Sequence, residues 1–378
     1  MTGLHNGHTY VRGNQEVRPM GQVPLPAGTI TVARFLQEAG YSTGLIGKWG
    51  LGGPDSVGHP NQQGFDYFFG YLCQRHAHNY YPEFLFRNGD RVPLEGNRIA
   101  DPRPDGAGQA IEKVTYSPDL MIREAVSFIE SNQEKPFFLY FASTLPHANN
   151  EAGDEGMEIP SYGRYENEDW PEPQKGHAAM ISRLDKDVGI LLETLHELDL
   201  ESNTLVIFTS DNGPHREGGA DPEFFQSSGP LKGIKRDLYE GGIRVPMIAY
   251  WPGKIRPGSE SSHISAFWDF LPTVLDTAGV KVPELTDGIS YLPALLGKHQ
   301  PEHEYLYWEF KEMQAVRMGK WKGIRKGPEE AIEIYDLDSD MGETQNIAQD
   351  YPEIAKRIEE ILREAHTPSE LFPMEIDQ

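Results

Sequence analysis

Three short segments, each following an apolar run, carry side chains suited to chemistry on an anion. Gly47-Lys48-Trp49-Gly50-Leu51-Gly52-Gly53 follows Leu45-Ile46 and sets a lysine among glycines that let backbone approach a small ligand. Ser143-Thr144-Leu145-Pro146-His147 follows Phe137 to Ala142 and places His147 where an imidazole can act as acid, base or ligand. Ser210-Asp211-Asn212-Gly213 follows Thr204 to Thr209. Asp211 and Asn212 both present oxygen, the donor that Ca²⁺ and Mg²⁺ prefer, although the same residues also make an ordinary Asx turn. A fourth segment, Leu231 to Pro246, packs Lys232, Lys235, Arg236 and Arg244 among glycines, either as an anion site or as a solvated loop paired to Asp237 and Glu240. His76 and His78, beside Tyr80-Tyr81, equally suit a decoration on a substrate loop.

The elements that must position these groups alternate helix and strand. A short helix over Thr31 to Ala39 ends at Gly40, and a buried strand covers Ser42 to Ile46. Residues 60–116 are rich in aromatics, Gly, Pro and Asn without periodicity, which predicts long loops and short hairpins. Ser117-Pro118 reads as N-cap and first residue of a helix through Ile129, and Phe137 to Ala142 as a fully buried strand. A helix near Lys175 to Glu197, apolar strands at Thr204 to Thr209 and Val245 to Tyr250, and a helix near Trp268 to Ala278 continue the alternation. This pattern predicts an α/β fold with helices on both faces of a mostly parallel sheet. From Glu302 the pattern becomes strands at Tyr305 to Phe310, Ala315 to Arg325 and Glu333 to Leu337, then a helix over Pro352 to Ala365. That predicts domains at 1–301 and 302–378, the second a small antiparallel α+β unit.

Composition sets limits. With 34 Lys+Arg against 58 Asp+Glu, the 378 residues carry a formal charge of −24, which opposes binding to nucleic-acid phosphates. One cysteine, Cys73, excludes an internal disulfide and a thiolate zinc site. There is no apolar run long enough to span a bilayer.

In order along the chain, these pieces resemble the sulfatase family. Gly40 to Gly52 (GYSTGLIGKWGLG) is similar to the family's second signature, Asp211-Asn212-Gly213 to its late metal motif, and Lys235 with Tyr239 to Pro246 (YEGGIRVP) to its lysine loop. Ile334-Tyr335-Asp336-Leu337, with Asn346, resembles the end of the smaller C-terminal domain. The resemblance implies an alkaline-phosphatase-like fold and hydrolysis of sulfate monoesters of sugars or aryl compounds. It also implies Ca²⁺ and a formylglycine made from Cys or Ser. By the same resemblance, Asp211 and Asn212 are metal ligands, Lys48 contacts the sulfate, Lys235 lies near the leaving oxygen and His147 helps to protonate it. A proton donor at that oxygen contributes on the order of 10²–10⁴ in rate. Export to the periplasm or outside is implied only by the family.

The sequence departs from the family at two places. Gly50 stands where many sulfatases have histidine. Thr2-Gly3 resembles the end of the first signature, whose Cys/Ser-x-Pro-x-Arg core and paired aspartates are expected upstream of Met1. Cys73-Gln74-Arg75 and Ser228-Gly229-Pro230-Leu231-Lys232 do not match that core, so neither Cys73 nor Ser228 qualifies as the nucleophile. The expectation is an N-terminally incomplete sulfatase, inactive as it stands, since losing a covalent nucleophile costs on the order of 10⁶ in turnover. Weak Ca²⁺ binding is expected as well. The alternatives are a phosphodiesterase or phosphonate hydrolase of the same superfamily, or a non-catalytic relative that binds sulfate or sugar.

Overall fold

The computed structural model describes residues 1–377 and divides into two compact units. One comprises Asn14–Thr204 and Arg216–Phe224; the other comprises Met1–Gly13, Leu205–His215 and the chain from Phe225 onward.

The Asn14–Thr204 unit is built on a five-stranded sheet. Helix α1 (Val32–Glu38) begins where the Thr31 hydroxyl accepts the Arg34 N–H at 3.1 Å, and it buries Val32, Ala33 and Leu36. Strands β1 (Ser42–Lys48) and β2 (Tyr67–Tyr71) follow, then β3 (Phe84–Arg87), β4 (Asp90–Pro93) and the short pair β5 (Arg98–Ile99) and β6 (Ala110–Glu112). After helix α2 (Ser117–Ser131), strand β7 (Phe137–Ala142) returns to the sheet, whose order is β4-β3-β2-β1-β7. β1 pairs in parallel with both β2 and β7, while β3 and β4 are antiparallel. Alternation sends Ile46, Phe69 and Tyr71 toward α2, where Met121, Ala125 and Phe128 complete a core. Gly44 makes room for this, since a Cβ there would lie 2.6 Å from the Phe128 ring. Helix α3 (Glu172–Glu197) then packs along α2 and buries Met180 and Leu195.

Two expectations change in this unit. Tyr116, not Ser117, is the N-cap of α2. Ser117 is inside the first turn and fully buried, accepting from the Tyr71 hydroxyl and donating to Tyr80 O, at 2.7 and 3.0 Å. β7 is only half-buried, with Tyr140 41% exposed, because it stands at the end of the five-strand order, next to β1.

In the other unit, β8 (Val206–Thr209) and β9 (Met247–Tyr250) form an antiparallel pair of their own, where the alternation pattern predicts parallel strands. Between them lies the single turn α4 (Glu240–Ile243). Helices α5 (Phe270–Thr277) and α6 (Leu292–Leu295) precede an antiparallel sheet of β10 (Leu306–Phe310), β11 (Met313–Met318), β12 (Trp321–Arg325) and β13 (Glu333–Asp336). The predicted single strand from Ala315 to Arg325 is therefore two, turned at Gly319, whose φ is +53°. Helix α7 (Pro352–Glu364) lays Ile358, Ile361 and Leu362 against Tyr307, Val316 and Ile334. Asn346 anchors this sheet by accepting the Ile334 N–H at 3.1 Å.

Candidate functional site

Each unit brings together some of the residues singled out by sequence. In the Asn14–Thr204 unit, Lys48 is the last residue of β1, and the chain leaves β7 one register position earlier, at Ala142 opposite Gly47. Ligands in open α/β sheets collect beyond such carboxyl ends. The strands approach closely here. A Cβ on Gly47 would lie 1.9 Å from Ala142 O, and one on Gly70 would lie 2.0 Å from Gly47 O.

The loop after β7 fixes His147. Its N–H donates to Thr144 O at 2.8 Å, closing a turn, and the buried Tyr80 hydroxyl lies 2.7 Å from Thr144 O and 2.5 Å from His147 O. Burial raises the Tyr80 phenol well above its ordinary pKa, so it remains a donor. The His147 ring donates from Nδ1 to Ala148 O at 2.7 Å, because a carbonyl can only accept. Nε2 is thus the atom that gains and loses a proton, and it faces Glu217 Oε2 at 3.7 Å.

Sequence reasoning offered His78 as a substrate-loop decoration and missed its partnership with this ring and with Glu151, Arg75 and Glu217. His78 stacks on His147 with centroids 5.0 Å apart and planes 8° from parallel. His78 Nδ1 contacts Glu151 Oε2 at 3.0 Å, and Arg75 lies 3.5 Å from both Glu151 and Asp105. Burial works to raise the Glu151 carboxyl, but His78 and Arg75 outweigh it and hold the pKa below its usual value. The signal for His78 was present in the His76-Ala77-His78 run, but nothing local separates it from His76. His76 proves to be fully buried, edge-on to Tyr71, with burial first and the charge of Arg91 second pushing its pKa down to about 3.

Gly50 also receives an explanation. Its φ is +92°, a conformation side chains rarely adopt, and a Cβ there would lie 2.8 Å from Gln74 Nε2. The Gln74 amide fills that space and donates to Asn14 Oδ1 at 2.7 Å.

In the other unit, Asp211, Asn212 and Lys235 come together through backbone packing. Gly213 N–H donates to Gly242 O at 3.0 Å, and a Cβ on Gly213 would lie 1.9 Å from Gly241 O. The Lys235 N–H donates to Pro214 O at 2.8 Å, which ties the lysine loop to the Asp211-Asn212 turn. Asn212 Nδ2 donates to Gly213 O at 2.8 Å, an orientation that leaves Oδ1 as the ligating atom. Two hard side-chain oxygens fit Ca²⁺ in kind and fall short of its usual six to eight.

Two further cations of that loop, Lys232 and Arg244, make structural contacts. Lys232 Nζ lies 3.9 Å over the Tyr239 ring and donates to Glu343 O at 3.1 Å. Glu240 is buried and accepts from Lys322 Nζ at 2.8 Å, with Arg317 at 3.4 Å and Arg244 at 3.7 Å. Lys322 has no exposed side-chain surface, and Glu343 Oε2 accepts the Glu240 N–H at 2.7 Å. Burial above all, with the charge of Glu240, pushes the Glu343 carboxyl up to about 7 against the pull of Lys322.

His5, His8 and Asp287 also cluster within chelating distance. However, His5 Nδ1 accepts the Gly7 N–H at 3.1 Å, so the proton of its neutral ring sits on Nε2, the nitrogen facing Asp287. That tautomer makes the cluster a clasp between the N-terminal turn and Asp287, not a metal site.

Comparison with known proteins shows the family and the fold. The sulfatase family model matches residues 1–280, and the model for the N-sulphoglucosamine sulphohydrolase C-terminal region matches residues 234–367. An N-acetylgalactosamine-6-O-sulfatase of Bacteroides thetaiotaomicron is 29% identical, over 89% of this chain and 77% of its own. Human arylsulfatase A is 33% identical over 80% of this chain, which spans only 60% of that relative's length. The crystal structure of Ps i-CgsB in complex with k-i-k-neocarrahexaose superposes with a TM-score of 0.76 and 26% identity, covering 97% of this chain and 80% of that one. With these matches over the strand ends, the Asp211-Asn212 turn and the lysine loop, the chain belongs to the sulfatase family of sulfuric ester hydrolases, with its alkaline-phosphatase-like fold.

Proposed function

We propose that this chain binds a sulfate monoester of a sugar, with aryl sulfates as simpler substitutes, and that His147 delivers the proton to the ester's leaving oxygen. The observation that carries the proposal is the His147 ring. Its Nδ1 is committed to Ala148 O, so Nε2 is the titrating atom, on the same strand-end edge as Lys48. A proton donor and a cation at one edge suit a reaction in which negative charge grows on an oxygen. Proton delivery breaks the Nε2–H bond and forms O–H on the released alcohol. Lys48 contributes a point charge for the sulfate, and Lys235 a second cation in its own unit. Asp211 and Asn212 would hold Ca²⁺, which supplies positive charge to sulfate oxygens when bound.

The preference for a sugar rests on the Bacteroides relative's name, N-acetylgalactosamine-6-O-sulfatase, and on the carbohydrate in the Ps i-CgsB complex. Residues 1–301 are proposed as the catalytic domain and 302–378 as the smaller one. The family is the only support for an exported location; among the described residues no helix is long and apolar enough to cross a membrane. No Cys/Ser-x-Pro-x-Arg occurs in the 378 residues, so they are proposed to bind the ester without turning it over, the His147 step running only where a nucleophile is supplied.

The test is calorimetric titration of the calcium-loaded chain with N-acetylgalactosamine 6-sulfate and with 4-nitrophenyl sulfate, alongside a turnover assay. Binding that Lys48→Ala abolishes supports the reading. Absence of binding, or binding that ignores Lys48→Ala, rejects it. Preferential binding of a phosphodiester favours the related phosphodiesterase reading. Turnover at about 1 s⁻¹ or faster, within the ordinary enzyme range, rejects the claim of inactivity.

A further inference from the structure

The segment 216–224 belongs to the same unit as His147, although the residues flanking it in sequence do not. It is held there by unusually close packing. Gly218 has φ +64°, and a Cβ on it would lie 2.5 Å from the Ala148 Cβ and within 3.2 Å of Gly156 backbone. Gly219, at φ +77°, meets Pro173 and Asp154 O in the same way. Gln174 of α3 pins the segment at both ends of its amide, donating from Nε2 to Gly219 O at 3.1 Å and accepting the Asp221 N–H at 3.2 Å. Two glycines and a buried glutamine thus set Glu217 beside Ala148 and its neighbour His147. Glu217 Oε2 lies 3.7 Å from His147 Nε2, with side-chain exposures of 14% and 20%.

The opposite influence comes from the stacked ring. His78 lies parallel to His147 and contacts Glu151 Oε2 through Nδ1 at 3.0 Å, so any positive charge on that ring would act against one on His147. Arg75 shares Glu151 with His78 and also contacts Asp105 and Glu16. The charged and titratable groups gathered at the ring include Glu217 on one side, and His78, Glu151 and Arg75 on the other. Glu217 is aimed at the titrating nitrogen.

We propose that Glu217 is the positioning residue that keeps His147 protonated at Nε2, with the His78 ring as the platform that fixes the imidazole plane. This rests on the reading of His147 as the proton donor, and it adds the group that loads that donor. A carboxylate in this range raises a neighbouring histidine by about 1–3 pKa units.

The experiment is NMR titration of the ¹⁵N-histidine-labelled full chain, with His147→Gln used to assign the His147 signals. In Glu217→Gln the His147 pKa should fall by at least about one unit, a tenfold loss of proton affinity. In Glu151→Gln the His147 pKa should change less than in Glu217→Gln. If the Gln variant does not fold, Glu217→Asp, which withdraws the carboxylate by one methylene, should give a smaller shift of the same sign. A His147 pKa unchanged in the Glu217 variant that folds, or moved equally by Glu151→Gln, overturns the proposal. The readout needs neither ester nor turnover. A failed ester-binding test with a shifted His147 would remove the functional reading and leave the Glu217 pairing standing.

Discussion

The turn after β8 and the strand ends of β1 and β7 carry comparable chemistry by different means. Around Asp211 and Lys235 the scaffold is backbone against backbone, Gly213 on Gly241 and Gly242, backed by the buried charges of Glu240, Lys322 and Glu343. Around His147 the supports are side chains that keep some water contact, namely His78, Glu151, Arg75 and Glu217, at 14–29% exposure. Fully buried charges tolerate little change because an orphaned ion has no water to turn to, whereas partly exposed ones are partly screened. The first arrangement holds a position, and the second leaves proton affinity adjustable.

The largest expected effect follows from that contrast. Glu240→Ala leaves the buried Lys322 with its nearer carboxylate gone and Glu343 at 3.9 Å, and it removes the partner of Arg317, so it should cost about 3–5 kcal/mol in denaturant unfolding. Glu151→Gln, at the partly exposed cluster and keeping an amide oxygen for its partners, should cost less, about 1 kcal/mol. Equal losses would erase the distinction between the two regions. Next in size, Gly213→Ala places a methyl group against Gly241 O and should cost about 1–3 kcal/mol by overpacking. A variant as stable as the parent would show that the turn relaxes where it is described as rigid.

Acid separates the regions in a third way. His76 has a folded pKa of about 3, below its ordinary 6.5, so the unfolded chain binds the extra proton. Its contribution is complete above pH 6.5 and is lost as pH falls toward 3, amounting to about 2 kcal/mol by pH 5. His5, lowered to about 4 chiefly by burial, acts with the same sign in the other unit. There Glu343 opposes it. Raised from 4.5 to about 7, it contributes fully below pH 4.5 and loses that contribution as pH rises through 7. Unfolding monitored between pH 7 and 5 should therefore show His76→Phe flattening the acid loss of its unit, and Glu343→Gln steepening that of the other. The reverse pattern would contradict the burial of these groups.

The strand-end residues were legible because apolar runs announce buried strands, and the residue after such a run lies at the sheet edge. Lys48, His147 and Asp211-Asn212 were found that way. Glu217 was not, because its proximity to His147 depends on Gly218 meeting Ala148, some seventy residues apart, and composition cannot show a close approach. His78 and His76 differ by two positions and by complete burial, a tertiary property. The β11–β12 hairpin was missed because Gly319-Lys320 is a weak turn signal inside an otherwise strand-like run. Likewise, an apolar run such as Phe137 to Ala142 tells how many faces a strand can bury and not how many neighbours it has.

That last point gives the smallest expected effect on stability and the clearest on association. β9 exposes Met247, Ile248 and Tyr250, with Ile248 at 62%, although the run reads as a core strand. Exposed apolar strand surface is a template for pairing with another chain. A lysine at Ile248 removes little buried contact, so Ile248→Lys should change unfolding free energy by no more than about 0.5 kcal/mol. The added charge should nevertheless suppress concentration-dependent light scattering. A loss above about 1 kcal/mol would mean that Ile248 is packed, and that β9 resembles the buried turn beside it more than the half-covered edge of β7.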